Sequence, residues 1–231
     1  MKIDVLEYMK IRIDRKKEKE VDVPTGKNAF VREGKIYLEN QEEYDIAFRN
    51  YENKCLFSSS YCFLKIPIPV GKVYSIFYIN SEQFENQILI GNTFVDLKYI
   101  SNGPAIELYS FQRDKDFVNK GTLKNIDEIT LLSRYDDLFE DFNDETMSNS
   151  HCYVGYKADL QMFYVIDYGS TGEGSSNGTY VKAKNTILEI KKDKTSFRII
   201  KELPHEKGSK KFFDYKIDCN LSWLTKRTPV N

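Results

Sequence analysis

The sequence predicts an all-β protein, and three observations carry this prediction. Tyr and Phe are abundant, with 16 and 15 copies, and aromatic residues favour strands, as do the many Ile and Val residues. The apolar residues occur in short runs separated by polar turns, a spacing typical of β-sandwiches and barrels. Few segments repeat apolar residues at the 3.6-residue period of an amphipathic helix.

The first hundred residues predict one β-rich domain, residues 1–100. Its strand candidates are Ile36–Leu38, Tyr44–Phe48, Tyr61–Ile66, Val73–Ile79, Gln87–Ile90 and Phe94–Leu97. The turn-rich residues Ser101-Asn102-Gly103-Pro104 follow and predict a domain boundary.

The remainder predicts a second domain over residues 104–219 and a C-terminal tail, 220–231. The strand candidates of this domain are Ala105–Phe111, Glu128–Leu132, Cys152–Tyr156, Met162–Ile166, Thr179–Val181, Thr186–Ile190, Ser196–Ile200 and Phe212–Ile217. One segment outside these strand candidates, Asp136–Phe142, could form a single helical turn. We expect the tail to dock its lone Trp223 on a sheet or on the other half.

Composition limits the function classes. The 34 basic and 35 acidic residues give a net charge of −1, which disfavours a general nucleic-acid binder. The four cysteines are scattered, and with two histidines they form no zinc-ligand spacing, so we expect reduced thiols, no metal and no cofactor. Acids near the N-terminus argue against a signal peptide, and no apolar run is long enough for membrane insertion. These features predict a soluble protein of the cytoplasm or nucleus.

The most informative segment is Val165–Val181, which reads VIDYGSTGEGSSNGTYV. An apolar strand runs into Asp167 and a Gly/Ser/Thr-rich loop, and Asn177-Gly178 then precedes a second strand. Asn-Gly between two strands predicts a tight turn, because both residues tolerate positive φ. Such a loop presents an amide, hydroxyls and backbone N–H groups, which are suited to phosphate or an extended peptide.

Two further fragments precede this segment: Ser133-Arg134, and Ser148-Asn149-Ser150-His151. The ordered set resembles a forkhead-associated (FHA) domain, a reader of phosphothreonine peptides, over roughly residues 104–219. In that family the pattern is Gly-Arg, then Ser-x-x-His, then Asp-x-x-Ser-x-Asn-Gly-Thr. Ser133 replaces the glycine here, and about five extra residues, Gly172–Ser176, lengthen the last motif.

The resemblance implies an FHA-type β-sandwich and a phosphorylation-dependent role in protein–protein interaction, with no catalysis. It implies that Arg134 and Ser148 bind the phosphate, that Asn149 adds a donor, and that Asn177 binds the peptide backbone. Either Ser176 or Thr171 holds the hydroxyl position before Asn177, depending on where the extra residues lie. The scaffold residues of the site would be His151, Asp167, Gly178 and Thr179.

The first half also contains an echo of these motifs. Ile46–Arg49 parallels Leu131–Arg134, and Ile90–Val95 parallels Ser176–Val181 at a nearly constant offset. The N-terminal domain is therefore either a degenerate FHA-like repeat or an unrelated β-rich domain.

Six acids lie between Tyr135 and Glu145, where the family places a peptide-contacting loop. They form either a solvated loop or a specificity surface that disfavours acidic ligands. In the second case Asp144 and Glu145 would repel an acidic residue that follows the phosphothreonine. An exposed Met147 would favour an apolar residue at the same place. We therefore expect basic or apolar residues after the phosphothreonine.

Two other functions compete with phosphothreonine binding. Ser148, His151 and Asp167 contain the residue types of a hydrolase triad, but no nucleophile elbow accompanies them. A phosphate-independent adaptor with an FHA-like fold is the second alternative, and it would not respond to phosphorylation of its partner.

Overall fold

A computed structural model describes residues 2–14, 19–58, 61–66, 75–111, 118–120, 123–126, 128–134, 144–169, 171, 173–190, 194–203 and 211–228. Within these ranges the chain is all-β and contains no helix, so the predicted fold class is confirmed. The helical turn considered at Asp136–Phe142 lies outside the described residues. Accordingly, the described ranges contain no helix that could cross a bilayer.

The chain forms two compact units, and both are discontinuous in sequence. Unit 1 contains Met1–Cys62, Lys184–Ile200 and Phe213–Asn231, and unit 2 contains Phe63–Ala183 and Lys201–Phe212.

Unit 1 is built from antiparallel strands. These are β1 (Lys2–Asp14), β2 (Lys19–Pro24), β3 (Asn28–Arg32), β4 (Lys35–Tyr37), β5 (Ile46–Arg49), β6 (Lys54–Phe57), β18 (Ile187–Glu189), most of β19 (Thr195–Leu203) and most of β20 (Lys211–Thr228). Their orders are β18-β6-β5-β3-β4 and β19-β20-β1-β2. The core holds the Phe197 ring against Phe48 at 5.9 Å and Phe57 at 5.4 Å.

Unit 2 carries all of the predicted site. Its strands are most of β7 (Cys62–Lys65), β8 (Phe77–Tyr78), β9 (Phe84–Ile90), β10 (Thr93–Ile100), β11 (Gly103–Phe111), β12 (Val118–Lys120), β13 (Lys124–Asn125), β14 (Ile129–Leu132), β15 (Cys152–Lys157), β16 (Met162–Asp167) and β17 (Thr179–Ala183). One sheet has the order β12-β11-β10-β9-β17-β7, with β13 also on β11, and the second has the order β14-β15-β16-β8. Fully buried aliphatic residues of both sheets, including Ile88, Val95, Val154 and Val165, fill the core.

The division into units differs from the predicted boundary at residues 101–104. Ser101-Asn102 is the turn of the β10–β11 hairpin, in which Ile100 pairs with Gly103, and both strands belong to unit 2. Gly103 has φ +106°, a conformation that glycine adopts without strain. Turn chemistry is the same in a hairpin and in a linker, which is why the sequence suggested a boundary here.

The motif-bearing unit 2 is therefore completed mainly by strands that precede the motif, and of the chain after Ala183 it contains Lys201–Phe212. β7 to β10 lie in the predicted first domain, yet β9 and β7 flank β17. After Ala183 the chain returns to unit 1. Residues 104–219 are thus not one compact body.

The internal echo does not form a second copy of unit 2. Ile46–Arg49 is β5 of unit 1, whereas Ile90–Val95 contains the β9–β10 turn of unit 2. The segments that carry the echo are divided between the units.

The predicted tail is part of a long strand. β20 pairs with β1 from Lys216 opposite Asp14 to Thr228 opposite Lys2, and Trp223 lies opposite Glu7 in this ladder.

The prediction of unpaired thiols is confirmed, since Cys55, Cys62, Cys152 and Cys219 are all free and buried.

Candidate functional site

The three sequence fragments meet at one edge of the four-stranded sheet of unit 2. In the antiparallel ladders, Leu132 pairs with Cys152 and Cys152 pairs with Asp167. The end of β14, the start of β15 and the end of β16 therefore lie side by side. The loop from Ser133 to His151 and the loop from Tyr168 to Gly178 leave the sheet at this edge.

His151 joins these two loops. Its side chain is fully buried, and its Nδ1 accepts the Ser148 backbone N–H at 3.1 Å. A backbone N–H can only donate, so the ring proton is on Nε2, which lies 3.2 Å from the Gly178 carbonyl and donates to it. The Ser148 turn and the Asn177-Gly178 turn are therefore fixed to the same imidazole.

Asp167 organises the second loop from inside. Its carboxylate is fully buried, and Oδ1 and Oδ2 accept the backbone N–H groups of Ser175 at 2.8 Å and Thr179 at 3.1 Å. Because these amides flank Asn177-Gly178, the carboxylate holds both ends of that turn.

Arg134 contacts the first loop directly. Nε donates to the Met147 carbonyl at 2.8 Å, and Nη2 donates to the Glu145 carbonyl at 2.7 Å. The Arg134 backbone N–H donates to the Ser148 carbonyl at 3.1 Å. The sequence predicted that the Arg134 side chain binds phosphate, but it did not predict these hydrogen bonds to its own loop. Among the described residues, Nη1 of Arg134 has no hydrogen-bond partner. Ser133, which replaces the family glycine, does not have a positive φ.

Two hydrogen bonds connect the exposed ends of the loops. The Ser176 backbone N–H lies 3.4 Å from Ser148 Oγ, and Asn177 Nδ2 donates to the Thr146 carbonyl at 2.6 Å. Ser176 and Asn177 are exposed, and Ser148 is half-buried. Ser148, Ser176 and Asn177 thus share one surface.

A backbone hydrogen bond between Gly174 and Tyr168 closes a bulge in the second loop before Ser175. Gly174 N–H donates to the Tyr168 carbonyl at 2.9 Å, and a Cβ on Gly169 (φ +66°) would lie 2.0 Å from the Gly174 carbonyl oxygen. Thr171 lies inside this bulge and is exposed. Of the two candidates for the hydroxyl position, Ser176 is the one whose backbone N–H lies 3.4 Å from Ser148 Oγ. Asn149 is exposed next to Ser148.

Asp144 corrects the interpretation of the acidic segment. Its side chain is only 6 % exposed, so it does not face a ligand. Oδ2 accepts the Asn92 N–H at 2.8 Å and the Thr93 hydroxyl at 2.7 Å, and Oδ1 accepts the backbone N–H of Thr146 at 2.9 Å and its hydroxyl. The carboxylate attaches the first loop to the β9–β10 turn.

Met147 is also buried, at 2 % exposure, and does not provide the exposed apolar contact considered above. Glu145 is the exposed acid among the described residues of this segment, and residues 135–143 lie outside them. Of the three side chains from which basic or apolar ligand residues were predicted, Asp144, Glu145 and Met147, only Glu145 is exposed.

The geometry does not assemble a hydrolase triad. Both imidazole nitrogens of His151 bind backbone groups, and Asp167 binds backbone amides. Within the described residues no hydrogen bond joins Ser148 Oγ to His151, or His151 to Asp167. The described residues also contain no group of three or more His, Cys, Asp or Glu side chains arranged to hold a metal.

Comparison with protein-family models, with curated proteins and with solved structures finds no match to this chain.

The burial of His151 predicts a pH-dependent stability. Burial lowers its pKa, against opposing effects of Asp167, the Gly178 hydrogen bond and Asp144. The unfolded chain, with a His pKa of about 6.5, binds the proton more readily than the folded chain. This contribution is therefore fully present above about pH 6.5 and is lost as the pH falls towards the folded pKa.

Urea unfolding at about pH 7.5 and about pH 5.5 measures this effect as a difference in the free energy of unfolding. We expect a larger acid-induced loss in the natural protein than in His151→Asn, which keeps an acceptor for the Ser148 N–H but does not titrate. His205 is present in both proteins, so its contribution cancels. An identical pH dependence of the two proteins would contradict the assignment.

Proposed function

We propose that unit 2 is a phosphothreonine-peptide binding module that mediates a phosphorylation-dependent protein–protein interaction. The observation that carries this proposal is the convergence of Arg134, Ser148 and Asn177 on two loops locked together by His151. The FHA resemblance implies a ligand-binding role for the same three residues.

The chemistry of the surface suits the ligand. A phosphothreonine carries about two negative charges and three acceptor oxygens. Arg134 supplies a cation with planar N–H donors. Ser148 supplies a hydroxyl, and Ser176 supplies a backbone amide beside it. The amide of Asn177 is suited to the main chain of an extended peptide. The bonds between the loops hold these groups in place before the ligand arrives, which lowers the ordering cost of binding.

Calorimetric titration with one peptide in three forms tests the proposal. We expect binding of the phosphothreonine form, weaker binding of the phosphoserine form by about 1 kcal/mol for one buried methyl group, and little binding of the unmodified form. Equal affinity for the phosphothreonine and unmodified peptides would contradict it.

A phosphate-independent adaptor is the second candidate, and one observation favours it. The Arg134 guanidinium already bonds to two carbonyls of its own loop, a use that requires no ligand. An adaptor would bind its partner equally with and without phosphate, and would keep that affinity when Arg134 is replaced without disturbing the loop.

A further inference from the structure

Lys65 is a basic residue of unit 2 that the FHA motifs do not include. It ends β7, where it pairs with Tyr180 of β17. The following residue continues this alignment, since Ile66 N–H donates to the Thr179 carbonyl at 2.9 Å. β7 therefore brings Lys65 alongside the strand that begins directly after the Asn177-Gly178 turn.

The Lys65 side chain passes across Gly178. A Cβ built on Gly178 would lie 2.5 Å from Lys65 Cε and 3.1 Å from its Nζ. Gly178 also has φ +75°, so glycine satisfies both the turn and the close approach. The ammonium group consequently lies next to the turn that presents Asn177.

The neighbouring acids differ in what they can offer a ligand. Asp144 and Asp167 are buried and bonded to donors of their own loops. Glu145 and Glu173 are the exposed acids in the described parts of the two loops. Lys65 therefore places a positive charge at the Asn177 turn, whereas the sequence predicted a negative charge beside the ligand, from Asp144 in the other loop.

Ser148 and Lys65 contact different residues of the turn. Ser176 places its amide on Ser148 Oγ, Asn177 follows, and Gly178, which Lys65 crosses, comes last. A peptide lying across Asn177 with its phosphate at Ser148 would thus bring a neighbouring residue towards Lys65.

We propose that Lys65 binds a carboxylate of the ligand in the residues that flank the phosphothreonine. This inference rests on the proposed function of the site and gives it a preference for acidic phosphopeptides. It reverses the expectation of basic or apolar flanking residues, which depended on an exposed Asp144.

A set of peptides with one constant phosphothreonine tests the inference. In each peptide one flanking position carries Asp, Ala or Lys, and all other positions stay uncharged. We expect at least one position at which Asp binds about threefold to tenfold more tightly than Ala and Lys binds more weakly, as for a solvent-accessible ion pair. Raising the salt concentration should reduce this difference.

Three variants locate the preference. Lys65→Gln should abolish it and leave the affinity for the Ala peptide unchanged, whereas Lys65→Arg should keep it. Lys157→Gln removes the same charge at the far end of β15, roughly 17 Å along the strand from Cys152, and should have no effect.

The inference would be overturned if Lys65→Gln kept the preference for Asp, or if the natural protein showed no such preference. In either case, phosphate-dependent binding would still support the proposed function. A uniform loss for all phosphopeptides in Lys65→Gln would also overturn it and place Lys65 at the phosphate. If no phosphopeptide bound at all, both proposals would fail.

Discussion

Replacing Asp144 with alanine is expected to destabilise unit 2 by about 3–4 kcal/mol, because buried donors that lose a charged acceptor typically cost about 1–3 kcal/mol each. The substitution leaves the N–H groups of Asn92 and Thr146 without this acceptor, and the hydroxyls of Thr93 and Thr146 lose it as well. Some of these groups would regain water, which is why the expected loss is less than a sum over the donors.

Urea unfolding measures this loss, and two controls make it specific. Asp159 is also paired, with Lys157 at 3.5 Å, but its side chain is 66 % exposed, so Asp159→Ala should cost about 1 kcal/mol or less. Thr93→Val removes one donor to Asp144 and should cost less than Asp144→Ala. If Asp144→Ala were as mild as Asp159→Ala, the acidic segment would be the solvated loop that the sequence allowed.

Replacing Arg134 with alanine is expected to weaken phosphothreonine-peptide binding by about 1.5–3 kcal/mol, or about 10-fold to 150-fold, the range for a hydrogen bond to a charged group. The unmodified peptide should bind no worse than before, because the lost interaction is with the phosphate. Calorimetry with both peptides gives the two values.

The bracing role of Arg134 calls for two further variants. Arg134→Lys keeps the charge but not the planar fork, so it should retain part of the phosphate binding and lose part of the support for the Glu145 and Met147 carbonyls. Arg32, which pairs with Glu43 in unit 1, provides a charge-matched control, and Arg32→Ala should leave the affinity unchanged. Equal losses for the phosphorylated and unmodified peptides would mean that Arg134 acts only on the structure of the loop.

The sequence predicted those parts of the site that depend on local chemistry. Apolar runs marked β15 and β16, and Asn177-Gly178 marked the turn before β17. Short-range preferences determine strands and tight turns, so no knowledge of distant contacts was needed.

Asp144 and Lys65 could not be assigned from the sequence, because their roles depend on contacts between distant segments. The donors to Asp144 from Asn92 and Thr93 lie 52 and 51 residues away in the chain. Lys65 reaches Gly178 only because β7 pairs with β17. Neither residue belongs to a short motif that would have marked it.

The domain organisation was missed for a related reason. The Ser101-Asn102 turn has the composition of a linker, and nothing local shows that β10 and β11 continue the same sheet. β1 did carry a usable signal, since Met9, Ile11 and Ile13 alternate with charged residues and are all buried. That alternation predicts a strand, but the charged residues lower the local hydrophobicity, so no apolar run marks it.

Amide chemical-shift mapping of the labelled full chain with the phosphothreonine peptide and its unmodified twin is the most direct test of the proposed site. We predict that the phosphorylated peptide shifts the amides of Ser148, Ser176 and Asn177 in unit 2 and that the unmodified peptide does not. Ala47 in the core of unit 1 should be unaffected by either peptide. Equal shifts with both peptides, or shifts that avoid these two loops, would contradict it.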